Sequence, residues 1–159
     1  MSLSQVLEQE HREIDDVIKR CADAAVASPE AGADLERAVA ELRWHIYVEE
    51  ELLFPRLRAA GMTGPILVML REHGQMWPIL DTLDQALRDE VDQGTLHTAC
   101  RQLLILLQHH NPKEEKILYP QLDYVLGEDA RGAIREFLTG GRVPADWMCQ
   151  HLRPKRGVG

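Results

Sequence analysis

Residues 45–55 read HIYVEEELLFP, and the scheme returns at residues 110–120 as HNPKEEKILYP. Both stretches carry His, Glu at +4, Glu at +5, Leu at +8, an aromatic residue at +9 and Pro at +10. A His and a Glu four residues apart stand one above the other on a single helix face. Each stretch therefore offers one imidazole and one carboxylate at a common level. Two such stretches, on alternate helices and each accompanied by another histidine on the preceding helix, form a specific signal rather than a chance match.

The surrounding sequence predicts those helices. Four long segments repeat apolar residues at spacings of three and four, with breakers between them. The first runs from about Leu3 to Ala27, with Leu7, Ile14, Ile18, Cys21 and Ala25 on one stripe, and stops at Ser28-Pro29-Glu30-Ala31-Gly32. The second runs from about Asp34 to Ala60, with Leu35, Val39, Leu42, Ile46 and Leu53, and is closed by Gly61 and Gly64-Pro65. The third spans about Pro65 to Val91, with Ile66, Met69, Met76, Leu80, Leu83 and Leu87, and Gly94 ends it. The fourth spans Thr95 to Leu126, with Ala99, Leu103, Leu107, Ile117 and Leu118, and Gly127 ends it. Short connections make sequential helices antiparallel neighbours, so the expected fold is all-α, an up-down-up-down four-helix bundle over residues 1–126. Residues 127–159 are expected to add a short helix near Glu128–Leu138 and a tail packed on the same domain, with Trp147 against the outside or end of the bundle. Pro78 and Pro112 each remove a backbone hydrogen bond and are expected to bend their helices.

The same stripes also carry His11 on the first helix, His45 and Glu49 on the second, His73 on the third, and His110 and Glu114 on the fourth. Counted outward from turns near residues 30 and 93, the six lie at similar heights; the turn near residue 62 fits less well. An unpaired buried carboxylate costs several kcal/mol or becomes neutral. A lone core histidine is ordinarily a satisfied structural residue, but six such groups on one level call for cations. Mixed imidazole and carboxylate ligands without thiolate suit iron or manganese, with zinc as the remaining alternative. Two metals held by four imidazoles and two bridging carboxylates keep open positions for small exchangeable ligands.

Other candidates have plainer readings. His109 points about 100° away from His110 and is expected beside the site or in solvent. His97 and His151 are expected at the surface. Glu50 and Glu115 would replace the +4 carboxylates as bridges only if Pro112 distorts the helix; otherwise they are solvated or support the ligands. Among Tyr47, Tyr119 and Tyr124, Tyr119 is the foremost candidate for an oxygen ligand or redox-active neighbour, with packing as its alternative. Trp77, Met76 and Met69 are expected to line an apolar pocket.

The bulk numbers narrow the function classes. The chain has 159 residues, 45% hydrophobic and 28% charged, with a formal net charge of −8, which suits one soluble domain. It lacks the concentrated positive face that nucleic acid or anionic membrane requires; the run Arg153–Arg156 reads as a frayed terminus. No apolar stretch reaches membrane-spanning length. The opening MSLSQVLEQEH does not resemble a signal peptide, so the cytoplasm is expected. Cys21, Cys100 and Cys149 are widely spaced and lack a CxxC pattern, and are expected as reduced thiols, two of them filling the core.

The order His11, His45-x-x-x-Glu49, His73, His110-x-x-x-Glu114 resembles the hemerythrin-like family, the HHE cation-binding domain, over about Leu3 to Tyr124. The resemblance implies a centre of two non-haem irons with an oxo, hydroxo or water bridge. His11 and His45 would hold one iron, His73 and His110 the other, and Glu49 and Glu114 would bridge them. Trp77 stands where the oxygen carriers of the family have a second histidine on the third helix, and HxxxE replaces their HxxxxD on the last helix. The pattern is thus more similar to the bacterial iron–sulfur repair proteins and mycobacterial hemerythrin-like proteins, with an additional coordination site. The repair proteins also carry an N-terminal cysteine-containing domain, which is not expected in this chain. The leading expectation is binding of O2 or NO for sensing or stress response. An enzyme acting on peroxide or NO, and iron storage or donation for cluster repair, are the alternatives. The oligomeric state is not legible.

Overall fold

A computed structural model of the chain describes residues 1–24, 26, 28–89 and 92–154. Ala25, the expected helix ends Ala27 and Val91, and Lys155 and Arg156 of the basic run lie outside the described residues. Helix α1 (Leu3–Asp23) starts with a reciprocal cap: the Ser2 hydroxyl accepts the Gln5 N–H, and the Gln5 side chain accepts the Ser2 N–H. Helix α2 (Pro29–Val48) begins earlier than the expected Asp34. The stretch read as a stop is its first turn, because Ser28 caps the Ala31 N–H and Pro29 occupies a position whose N–H has no helical partner.

The long second and fourth segments are not continuous α-helix. After α2 the chain makes one wider π turn, Glu49–Leu53, before α3 (Phe54–Ala59). After α5 (Gln93–Lys113) it makes another, Glu114–Leu118, before α6 (Tyr119–Val125). The Phe54 N–H reaches back to the Glu49 carbonyl and the Tyr119 N–H to the Glu114 carbonyl, one residue further than α winding. The prolines at +10, Pro55 and Pro120, follow directly and have no N–H to restore the four-residue bond. Pro112 has no counterpart in the first turn, and α4 (Thr63–Arg88) runs through Pro78, so the change of winding belongs to the +10 prolines. The added residue shifts the stripe: Leu118 is buried while Ile117, expected on the core face, is 46% exposed.

Gly61 (φ +94°) ends α3 in the left-handed region; its N–H bonds the Arg58 carbonyl and the Met62 N–H the Leu57 carbonyl. Asp92 caps α5 through the Gly94 N–H. Helices α1, α2, α4 and α5 pack in a closed ring in which chain neighbours touch and α1 meets α5, the up-down-up-down bundle. Two apolar clusters fill it, one around Ile18, Leu42, Leu80 and Leu103, the other around Leu7, Val48, Leu57 and Leu122. A short helix α7 (Glu128–Leu138) buries Ile134 and Leu138 in the second cluster.

The tail crosses back over the bundle. Trp147 meets Trp77 and Tyr47 edge-on at 5.3 and 5.1 Å and donates its indole N–H to Glu51 at 2.9 Å. Arg43 lies over the Trp77 ring at 4.5 Å, so Trp77 and the buried Met76 are packing residues; Met69 lines a small cleft with Pro65 and Leu118. The cysteines depart from expectation. Cys21 on α1 and Cys100 on α5 form a disulfide, their Cα atoms 6.0 Å apart. Only Cys149 is a free thiol; burial, then Glu50, pushes it up to about 12. The cysteines therefore lend no support to a reducing compartment. Among the described residues no helix is long and apolar enough to cross a membrane.

Candidate metal centre

Each long helix contributes one histidine: His11 from α1, His45 from α2, His73 from α4 and His110 from α5, while the π turns contribute Glu49 and Glu114. All six are at most 3% exposed and converge between the two apolar clusters. His11 Nε2 and His45 Nε2 lie 3.0 Å apart. His73 Nε2 is 3.3 Å from Glu49 Oε1, and His110 Nε2 is 3.0 Å from Glu114 Oε1. Each carboxylate also reaches the other pair, Glu49 Oε2 to His45 Nε2 at 3.6 Å and Glu114 Oε1 to His11 Nε2 at 3.4 Å. Glu49, His73, His110 and Glu114 present one donor atom each within 4.8 Å of one another, and so do His11, His45 and Glu114.

A second layer of carboxylates holds the imidazoles by their far nitrogens. His11 Nδ1 meets Glu115 at 2.9 Å, His45 Nδ1 meets Glu10 at 2.9 Å, His73 Nδ1 meets Glu50 at 2.6 Å and His110 Nδ1 meets Glu72 at 2.9 Å. Such partners fix the ring orientation, so every Nε2 faces inward. The pattern is two-fold: the residue before His11 serves His45, and the residue before His73 serves His110. The residue after Glu49 serves His73, and the residue after Glu114 serves His11. The π turns make this work, because they let two successive glutamates point inward, Glu50 being 1% exposed. Glu72 also meets Lys113, and Glu50 accepts the Gln150 N–H of the tail at 2.8 Å.

Burial alone would lower the imidazole pKa values, but neighbouring carboxylates outweigh it at all four histidines; Glu49 and Glu50 lift His73 to about 10. Burial likewise opposes ionisation of Glu114, yet His110, Glu49 and His11 hold it well below the usual carboxylate range. Tyr119 is raised well above its ordinary value by burial and then by Glu114 and Glu49. The centre is therefore a concentration of negative charge seeking cations. Glu49 Oε1, His73 Nε2 and Glu114 Oε2 are buried without a hydrogen-bond partner. Buried polar atoms left so, two of them carboxylate oxygens and the third an imidazole nitrogen 3.3 Å from one of them, are costly unless a cation takes them, so the donor set fits metal.

The structure brings together all six residues singled out by spacing. Glu50 and Glu115 stand behind histidines rather than as bridges. The Tyr119 hydroxyl reaches the centre, whereas Tyr124 is 84% exposed and Tyr47 stacks on Trp44. His109 and His151 are exposed and His97 is half-buried, all apart from the donor groups. Sequence reasoning missed Glu10 and Glu72; the repeated Glu-His pairs at 10–11 and 72–73 were the available signal.

Residues 2–122 match the model of the hemerythrin HHE cation-binding domain. Curated relatives include the iron-sulfur cluster repair protein YtfE of Yersinia pestis (strain Pestoides F) and of Yersinia pseudotuberculosis serotype O:1b (strain IP 31758). Each is 29% identical over 99 residues, covering 56% of this chain and 45% of the relative. The chain thus spans about half the length of these relatives. No solved structure matches.

Proposed function

The chain belongs to the hemerythrin HHE cation-binding family, and from that premise we propose that it holds two non-haem irons and binds a small diatomic ligand, O2 or NO, at an open position. His11 and His45 would hold one iron, His73 and His110 the other, with Glu49 and Glu114 shared between them. The observation that carries this reading is the trio of orphaned buried atoms, Glu49 Oε1, His73 Nε2 and Glu114 Oε2, inside a ring of carboxylate-held imidazoles. Such a centre supplies reversible redox chemistry and exchangeable coordination. The chain's own part is to fix the imidazoles through Glu10, Glu50, Glu72 and Glu115, to balance cationic charge with carboxylates, and to exclude bulk water with the apolar clusters above and below. The test is anaerobic titration of the reduced iron-loaded protein with NO and with O2. The expected result is a stoichiometric change in the optical spectrum with at least one gas; no change with either contradicts the reading.

Similarity to proteins named for iron-sulfur cluster repair favours a second reading, iron donation to damaged clusters. Iron transfer to an apo-cluster acceptor, at a rate above that of free ferrous iron, would support it. Turnover of hydrogen peroxide above free iron would instead place the protein among enzymes.

A further inference from the structure

The two-fold pattern of the centre breaks at one pair of residues. Phe54 and Tyr119 are equivalent, each following a π turn and preceding a proline. Phe54 lays its ring nearly parallel to His73, 5.7 Å away at 11°. Tyr119 instead places its hydroxyl oxygen 3.0 Å from His11 Nε2, 3.0 Å from His45 Nε2, 2.9 Å from Glu49 Oε2 and 3.4 Å from Glu114 Oε1. Of these four atoms the two imidazole nitrogens belong to one metal position alone, that of His11, His45 and Glu114. The Ser4 hydroxyl, bonded to the Tyr119 carbonyl at 2.8 Å, ties this backbone to α1.

We propose that the Tyr119 hydroxyl oxygen is a protein ligand of the metal held by His11 and His45, which confines the exchangeable positions to the metal held by His73 and His110. The inference rests on the two-metal reading above. The phenol donates its one proton to Glu49 Oε2 and accepts from His11 Nε2 and His45 Nε2 only while those nitrogens carry protons, the protons that a metal on the same imidazoles displaces. A cation shared by the same four atoms and the oxygen satisfies all of them, and a hard anionic oxygen suits ferric iron. When the cation enters, the O–H bond breaks and its proton leaves for solvent, with no change of oxidation state. On the other side a phenyl ring covers His73 and supplies no donor, which leaves that metal one protein ligand poorer.

The experiment compares the ferric iron-loaded wild-type chain with Tyr119→Phe by iron analysis, visible absorption and resonance Raman spectroscopy, before and after azide. The wild type should show a phenolate-to-iron charge-transfer band with enhanced tyrosine ring vibrations, which shift on ring deuteration of tyrosine. Tyr47 and Tyr124 do not reach the donor atoms, so the signal reports Tyr119. In Tyr119→Phe the band should vanish per iron bound and iron affinity should weaken by roughly 10–100-fold, while azide still changes the spectrum once excess iron has reloaded the variant. Two irons per wild-type chain without that band, or a band that survives in Tyr119→Phe, would overturn the ligation and leave the two-metal centre standing. Loss of the azide response in Tyr119→Phe, with iron retained, would overturn the assignment of the open positions. A wild-type chain that takes up no metal would overturn both readings.

Discussion

At the scale of single residues, the charge of His73 makes metal and proton compete for one nitrogen. Burial disfavours the imidazolium, but Glu49 and Glu50 prevail and lift its pKa from 6.5 to about 10. Because the folded value lies above the unfolded one, this contribution to the metal-free protein's stability is complete below pH 6.5 and is lost as pH rises through about 10. A metal needs the neutral imidazole. Metal affinity is therefore expected to rise across the same window, by roughly tenfold per pH unit for one displaced proton, while the melting temperature of the metal-free chain falls. Chelator competition and thermal melts at several pH values check both; an affinity flat over this range would contradict the assignment of His73 as a ligand. The inner six residues were legible as a set, because six polar groups at one level of the apolar stripes exceed what single structural histidines account for, and the structure brings them together. Glu10 and Glu72 were not, because a charged residue beside the stripe looks solvated until a partner helix supplies the nitrogen it faces.

At the scale of elements, the π turns are what the centre depends on. Helix existence and order were readable from apolar spacing, and the Glu128–Leu138 helix emerged where expected. The start of α2 was misplaced because Ser-Pro can end one helix or begin the next, and only the Ser28 cap decides. The register at Ile117 was missed because a period of 3.6 carries no information about one inserted residue. Replacing Pro120 by Ala restores an N–H and permits α winding, which would turn Glu115 away from His11 and move Glu114. Pro120→Ala, and Pro55→Ala for the other half, are expected to keep the far-ultraviolet helix signal yet weaken metal binding by about tenfold or more. Unchanged affinity in both variants would show that the winding does not depend on these prolines.

At the scale of the whole molecule, a charged layer divides one bundle core into two apolar halves, and the fold must hold that layer closed. The Cys21–Cys100 disulfide ties α1 to α5 across 79 residues of chain; a pairing this distant in sequence has no local signature, so spacing could not reveal it. Closing such a loop contributes about 2–4 kcal/mol. Thiol titration of the denatured, unreduced protein is expected to find Cys149 alone, and full titration after reduction should coincide with a lower melting temperature. Three titratable thiols before reduction would contradict the crosslink. The central claim is that the buried His and Glu residues share their level because two cations occupy it. Metal content and thermal stability of the wild type, His45→Ala and Glu114→Ala after iron loading test it most directly. The account predicts two irons per wild-type chain, with metal content and melting temperature falling together in both variants; unchanged metal stoichiometry in both would contradict it.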